Sequence, residues 1–206
     1  DPPVGTYGLA TGTVVDITAS LTDFTYLFHH WEGDIGTADP YAATVQVIVD
    51  QARSVTAVFR QPVLTINVTG NGSTSPAAGA HTYPANELVS ISAIPDPGWR
   101  FDHWEGDAAG TNPETGLSMD GDKTITAVFT EIPSYELTIS VVGNGATDPV
   151  AGTYSYEEGA PPVVISAEAD EGWYFDGWSG DIGAADPNSP VLSVTPDQNR
   201  TVTATF

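Results

Sequence analysis

The chain has no cysteine among its 206 residues, which excludes disulfides, thiol catalysis and thiolate metal sites. It is also poor in basic residues, with five Lys and Arg against 27 Asp and Glu and a formal net charge of −22. This charge disfavours nucleic acid and anionic membranes as partners and makes cations the natural counter-species. No apolar run reaches the roughly 18 residues of a membrane span. We therefore expect neither nucleic-acid binding nor direct membrane insertion.

The composition favours a folded chain of short strands. Forty per cent of the residues are hydrophobic, and 21 Gly and 16 Pro are spread along the sequence. No segment keeps the i, i+3, i+4, i+7 apolar spacing of a helix, while β-branched residues dominate the runs with period-2 alternation. The sequence predicts a mainly β protein with four or five antiparallel strands in each small module.

One sequence pattern occurs three times. The copies read YLFHHWEGDIGTADP from Tyr26, WRFDHWEGDAAGTNP from Trp99 and WYFDGWSGDIGAADP from Trp173. A fixed period of about 73 residues indicates three tandem modules. We place the modules at residues 1–61, 62–132 and 133–206.

Aromatic residues recur at fixed positions in every copy. A Phe precedes the central Trp by three residues, and each module ends in a strand closing on Phe, as in SVTAVF, TITAVF and TVTATF. Large aromatics kept in each copy on a near period-2 pattern favour core packing. The predicted core residues are Phe28, Trp31 and Phe59, then Phe101, Trp104 and Phe129, and finally Phe175, Trp178 and Phe206.

The first module differs from the other two at its beginning. Modules two and three open with LTINVTGNG from Leu64 and LTISVVGNG from Leu137, each ending in an Asn-Gly pair that favours a tight turn with positive φ. DPPVGTY at the start of the chain instead matches DPVAGTY from Asp148, which follows that strand. We expect module one to lack its opening strand, which leaves two explanations: residues 1–206 are a window from a longer polypeptide, or another chain completes the module. The linkers between modules are only a few residues long, which predicts an elongated, semi-rigid rod.

The order GNG, SP, GTY, alternating V-x-I-x-A, G-[WY]-x-F-D-x-W-x-G-D and D-x-x-[KR]-[ST]-[VI]-T-A-x-F resembles the divergent internalin-type B-repeat family of bacterial and archaeal extracellular proteins. The resemblance covers essentially the whole chain. It implies small β-modules, either β-grasp-like or small sandwiches, strung along adhesins, stalks and secreted multidomain proteins. It implies no enzymatic activity and supplies no catalytic residue.

The imidazole and carboxylate of FDHWEGDAAG could suggest acid–base catalysis, but they do not recur. His103 and Glu105 align with Gly177 and Ser179 in the third copy, and an acid–base pair needs both groups. Adjacent side chains on a strand point to opposite faces, so His29 and His30 are not expected to bind one metal together. No catalytic residue is predicted.

The Trp-Gly-Asp triplet recurs in all three copies and has two explanations. In the first, the Trp fills the core, the Gly takes a positive-φ turn and the Asp accepts backbone N–H groups. In the second, two carboxylates bracket a Gly-containing loop whose carbonyls complete a calcium site, since Ca²⁺ prefers 6–8 oxygen ligands. The candidate calcium ligands are Asp34 with Asp39, and Asp181 with Asp186. No other cofactor is expected.

Two further features have modest interpretations. An Asp three residues before Arg or Lys, as at Asp50 and Arg53, predicts an exposed turn with an ion pair. Tyr154 and Tyr156 are the best candidates for exposed aromatics that could stack on a sugar ring.

These observations predict a non-enzymatic extracellular or cell-surface segment serving as an adhesin stalk, spacer or fibre element. The alternative is a carbohydrate- or protein-binding module of a secreted protein. The corresponding partners are other surface proteins, further copies of the chain, or extracellular glycans.

Overall fold

The computed structural model describes residues 2–206. All the regular secondary structure in that range is β-strand, so the mainly β class predicted from the sequence is confirmed. None of these elements is a helix long and apolar enough to cross a membrane. The chain divides into two compact units, one ending at Thr130 and the other spanning Glu131–Phe206.

Module one, in the first unit, contains two separate two-stranded sheets. β1 pairs with β3 and β2 pairs with β4, both antiparallel. Residues 2–10 precede these strands without forming one. The strands are β1 (Thr13–Thr18), β2 (Leu27–Gly33), β3 (Thr44–Val49) and β4 (Val55–Arg60).

Module two, also in the first unit, contains a four-stranded sheet in the order β7-β5-β11-β9 and a three-stranded sheet in the order β10-β8-β6. Its first strand, β5, pairs in parallel with its last, β11, so that Leu64 lies beside Lys123. The strands are β5 (Val63–Thr69), β6 (Gly72–Ser75), β7 (Gly79–Thr82), β8 (Leu88–Pro95), β9 (Trp99–Gly106), β10 (Glu114–Ser118) and β11 (Lys123–Glu131).

Module three, in the second unit, has the same topology. Its sheets run β14-β12-β18-β16 and β13-β15-β17, and β12 pairs in parallel with β18. The strands are β12 (Ser134–Val142), β13 (Gly145–Asp148), β14 (Gly152–Glu157), β15 (Val163–Ala169), β16 (Gly177–Gly180), β17 (Val191–Val194) and β18 (Arg200–Thr205).

The strand count and one turn differ from the sequence prediction. Modules two and three each have seven strands, because the segment after the opening strand forms two short strands of its own. The positive φ falls on Gly70 and Gly143, one residue before the expected Asn-Gly pair. At these glycines the chain leaves one sheet and enters the other, so the turn is not a simple hairpin.

The two sheets of module two share one core, and so do those of module three, which makes each a small sandwich. In module two, Leu64 and Ile125 from one sheet pack in the same cluster as Ile91 from the other. In module three, Leu137 and Val202 pack in the same cluster as Ile165. Apolar residues at every second position place one side of each strand in this interior.

The nine predicted core aromatics are not equally buried. The three tryptophans are buried, as are Phe129 and Phe206. The three Phe residues that precede the tryptophans lie half-buried at the edge of the core, each in ring contact with its own Trp: Phe28, Phe101 and Phe175. Phe59, in module one, is only half-buried.

Candidate functional site

The recurring Trp closes a loop in every module. Its side chain is 5, 2 and 4% exposed at Trp31, Trp104 and Trp178 respectively. The indole Nε1–H donates to a backbone carbonyl on the far side of the loop, at 2.9, 3.0 and 2.9 Å to Ala42, Asn112 and Ser189. The Trp therefore fills the core and holds the following loop against it.

The recurring Gly is required by its backbone conformation and by its neighbours. It has φ of +93°, +87° and +93° at Gly33, Gly106 and Gly180. A Cβ added there would meet a backbone carbonyl oxygen at the start of the last strand, that of Ser54, Thr124 or Thr201. Only glycine allows this close approach.

The recurring Asp is bonded twice to the same backbone position. Its N–H donates to the carbonyl oxygen of Ser54, Thr124 or Thr201 at 2.7–2.9 Å. Its Oδ2 accepts from the N–H of the same residue, at 3.5, 2.6 and 2.9 Å for Asp34, Asp107 and Asp181. The carboxylate thus joins the loop to the last strand.

An ion pair supports this junction from the preceding turn. The carboxylates of Asp50, Asp120 and Asp197 lie 2.6, 2.7 and 2.6 Å from Arg53, Lys123 and Arg200. Hydrogen bonds from these cations lower the pKa of the three carboxyl groups. Arg53 and Arg200 also donate to the carbonyl oxygens of Asp34 and Asp181.

These loops and strands are the features shared by the three copies, and their sequence matches one family model. The divergent InlB B-repeat domain matches residues 4–62, 63–133 and 135–206. The chain belongs to the divergent InlB B-repeat family. The resemblance seen in the sequence is thereby confirmed, including its three tandem copies. A comparison with curated proteins finds no match.

The carboxylates proposed as calcium ligands in the first and third B-repeats already accept backbone hydrogen bonds. Besides Asp34 and Asp181, Asp39 accepts from the N–H of Tyr41 at 3.0 Å, and Asp186 from that of Asn188 at 2.9 Å. Residues 2–206 contain no group of three or more His, Asp or Glu side chains placed to hold a metal ion. Calcium binding therefore stays a prediction that would depend on loop carbonyls.

Three histidines lie in strands β2 and β9 of the first and second B-repeats, namely His29, His30 and His103. The expectation that His29 and His30 point apart is wrong, because a register shift between Phe28 and His30 brings their Nδ1 atoms to 2.6 Å. In the second repeat, His103 contacts Asp102 at 2.8 Å and Glu105 at 3.3 Å. These hydrogen bonds, the first above all, raise the pKa of His103.

The two tyrosines expected to be exposed are not free on the surface. Tyr154 and Tyr156 are half-buried and pack against the core of the third B-repeat, because their strand pairs with β12. The Tyr154 hydroxyl also donates to the carbonyl oxygen of Val150 at 2.8 Å. The exposed aromatic pair of this repeat is instead Trp173 and Tyr174, at 48 and 72% exposure.

A concavity of about 620 Å³ lies on the second B-repeat. Ser75, Ser90, Ser92, Asn112, Glu114 and Thr115 supply its polar groups. The lining contains hydroxyls, one amide and one carboxylate, but no aromatic ring on which a sugar could stack.

Sequence analysis missed an ion pair that joins the first two B-repeats. Both Nη atoms of Arg60 donate to the carboxylate of Asp122, one of them at 2.8 Å, and Asp122 also accepts from the N–H of Val63 at 2.9 Å. In the third repeat, Asn199 accepts from the N–H of Glu136 at 2.9 Å in the same way. The aligned position in the first repeat is Ala52, so a polar residue found only in the repeats that have an opening strand was the available signal.

Asp122→Asn is expected to lower the melting temperature at pH 7, by an amount equivalent to about 0.5–1 kcal/mol for a partly exposed ion pair. The hydrogen bond from Arg60 is the main cause that lowers the pKa of Asp122 to about 2, from 3.8. A depressed folded-state pKa means that the stabilisation is present above about pH 4 and is lost as the pH falls towards 2. Thermal denaturation should therefore show a difference between wild type and variant at pH 7 that disappears near pH 2.

The controls use residues found in the other repeats. Asn keeps the acceptor for Val63, as Asn199 does for Glu136. Arg60→Thr introduces the residue that the second repeat carries at this position, Thr130. The double variant, which carries both Asp122→Asn and Arg60→Thr, should be no less stable than either single variant. Additive losses of unfolding free energy from the two substitutions would contradict a direct ion pair.

Proposed function

We propose that this chain is a non-enzymatic, extracellular repeat segment that acts as a stalk, spacer or fibre element. The B-repeat family is associated with surface and extracellular proteins. The residues that recur in all three copies, Trp, Gly and Asp, are each engaged in closing their own module. Conserving these contacts in every copy supports repetition of a folded unit rather than of a reactive site.

The parallel pairing of the first and last strands carries the proposal. In modules two and three, β5 lies beside β11 and β12 beside β18, each over six paired positions. Tension applied at the two ends of a module pulls such parallel neighbours past each other, which loads all their hydrogen bonds at once. This arrangement suits a segment that bears mechanical tension along its length.

Single-molecule pulling from the chain ends tests this function. We expect two high-force unfolding events, from modules two and three, each releasing roughly 70 residues at about 3.3–3.6 Å per residue. Module one, whose β4 pairs only with β2 within the described residues, should open at lower force.

The control changes only the direction of loading. Ser134 and Glu157 are paired neighbours at the end of the antiparallel strands β12 and β14. Pulling between them separates the pairs one at a time, so module three should open at a much lower force than when it is pulled from its ends. Equal forces in the two directions would contradict a load-bearing role for the parallel pair.

Charge repulsion should make the chain sensitive to salt. The modules carry net charges of −5, −7 and −10 in chain order, so module three has the most to gain from screening. We expect the melting temperature to rise with NaCl. Hydrogen exchange followed module by module should show the largest gain in protection in module three. A further rise with Ca²⁺ at matched ionic strength would support the loop calcium sites, whereas equal melting temperatures with Ca²⁺, high NaCl and chelator would contradict both effects.

An aromatic pair in module three favours the alternative, a carbohydrate-binding module. Trp173 and Tyr174 are exposed next to each other, and exposed aromatic rings can stack on a sugar face. Binding to a glycan array that is lost in Trp173→Ala/Tyr174→Ala, with the melting temperature unchanged, would support this function. Equal binding, or no binding, by wild type and variant would leave the stalk function as the better account.

A further inference from the structure

The four-stranded sheets of modules two and three have a central strand with no counterpart in module one among residues 2–206. In module three, β12 lies between β14 and β18. Module one has the counterparts of both neighbours: residues 5–10 align with β14, and β4 aligns with β18. Among residues 2–206, however, β4 pairs only with β2, and residues 5–10 form no strand.

Side-chain exposure follows this difference in pairing. The inward positions of β11 and β18 are buried, including Ala127, Phe129 and Ala204, whereas Ala57 and Phe59 on β4 are only half-buried. On the other side, Tyr7 and Leu9 are 50 and 46% exposed, while their counterparts in β14 are half-buried against the core. Module one thus has apolar side chains on both sides of an unpaired edge.

The segment before β1 shares one side-chain hydrogen bond with its counterpart in module three. The Tyr7 hydroxyl donates to the carbonyl oxygen of Pro3 at 2.5 Å, as that of Tyr154 donates to Val150 at 2.8 Å. The same side-chain hydrogen bond is therefore formed in both modules. Among residues 2–206, however, no strand lies beside residues 5–10.

We propose that β4 and residues 5–10 together form an acceptor site for one further β-strand that is not among residues 2–206. The occupant is a polypeptide strand that runs parallel to β4. Of its inward-facing residues, which are every second residue, the first three are aliphatic and the next two are glycine. Strand addition of this kind provides main-chain hydrogen bonds on both sides and side-chain burial beneath. An unpaired edge over apolar side chains is otherwise exposed to unwanted association.

Modules two and three define this sequence requirement. The inward residues of the opening strand are Leu, Ile and Val, then two glycines: Leu64, Ile66, Val68, Gly70 and Gly72 in module two, and Leu137, Ile139, Val141, Gly143 and Gly145 in module three. A Cβ at the last two positions would meet the backbone and ring of the closing Phe. The corresponding ring in module one is that of Phe59.

The register follows from the same comparison. The first Leu of the opening strand pairs with Lys123 in module two and with Arg200 in module three. The equivalent residue in module one is Arg53. The docked strand should therefore begin its apolar positions beside Arg53 and bring its glycines over Phe59.

A second copy of this chain is not the proposed occupant. Its own strands of this type, β5 and β12, lie in the middle of their sheets with Leu64 and Leu137 fully buried. Donating either strand would require a module to unfold. The proposed occupant is instead a strand that is not already held in a sheet.

A peptide of residues 134–145 tests the proposal on the full chain. We expect saturable binding, with hydrogen-exchange protection appearing in residues 5–10 and in β4. The matched control peptide replaces Leu137 and Ile139 by Asn, which keeps its charge. Because it loses two buried aliphatic side chains, it should bind at least about a hundredfold more weakly.

Ala52 provides a second, independent variant. Asp122 and Asn199 accept the N–H at the start of the opening strand, whereas Ala52 has no such acceptor. Ala52→Asn should tighten peptide binding about threefold to tenfold, the effect of one added hydrogen bond. Ala52 is exposed, so the variant should fold normally.

Several results would overturn the proposal. Protection confined to the outer strands of modules two and three would place the peptide on another edge. Equal binding by the control peptide would show that the pattern of aliphatic residues is not recognised. Self-association of the chain that protects the same two segments would assign the edge to a second copy, and absence of binding would show that it accepts no strand of this type.

Discussion

Trp104→Ala is expected to lower the free energy of unfolding of module two by about 3–5 kcal/mol. The indole is 2% exposed and contacts the ring of Phe101, with 5.2 Å between centroids. Its removal leaves a cavity between the two sheets, which the surrounding strands cannot fill without breaking their pairing. It also removes the hydrogen bond to the carbonyl oxygen of Asn112 that holds the loop.

A loss of this size approaches the whole stability of a domain of about 70 residues, which is marginal. Hydrogen exchange followed module by module should show β5–β11 losing protection, with the second unit retaining its own. Trp173→Ala is the matched control, because that indole is 48% exposed and should cost far less. Equal losses from the two substitutions would contradict the assignment of Trp104 to the core.

The repeats and their core tryptophans could be predicted from the sequence because the three copies can be compared position by position. A residue that recurs three times in the same setting is required by the fold, and alternation places it on one face of a strand. The same comparison removed His103 and Glu105 from consideration as catalytic groups, since Gly177 and Ser179 replace them.

The direction in which strands pair could not be predicted in this way. Alternation identifies a strand and its inward face, but it does not say which distant strand lies beside it or whether the two are parallel. The parallel neighbours β5 and β11 are separated by five other strands in the sequence. For the same reason, nothing in the sequence pattern indicated that Tyr154 and Tyr156 would be partly covered through pairing with β12.

Local irregularities were also missed, and they depend on tertiary contacts. A register shift at His29 reverses the rule that neighbouring side chains point to opposite faces. The contact of Arg60 with Asp122 joins two copies, so it cannot recur within each one. Comparing copies reveals what they share, whereas contacts between copies appear as positions at which they differ.

Gly180→Ala is expected to destabilise module three by about 2–4 kcal/mol, since both a strained φ and a backbone clash oppose the new methyl group. Gly180 has φ of +93°, and a Cβ there would meet the carbonyl oxygen and carbon of Thr201. Thr201 belongs to β18, which is paired on both sides, so it cannot move away without breaking the sheet. The substitution should also loosen the two hydrogen bonds between Asp181 and Thr201.

Gly183→Ala separates the two causes of this loss. Gly183 has φ of +63° but no atom within 4 Å of an added Cβ, so it reports conformational strain alone. Strain of about 1–2 kcal/mol, partly offset by the lower entropy of the unfolded chain, should leave a net cost of about 1 kcal/mol or less. Hydrogen-exchange protection of β18 amides in urea measures both variants in the full chain. If Gly180→Ala costs no more than Gly183→Ala, the close approach of β16 to Thr201 does not constrain the fold as the structure indicates.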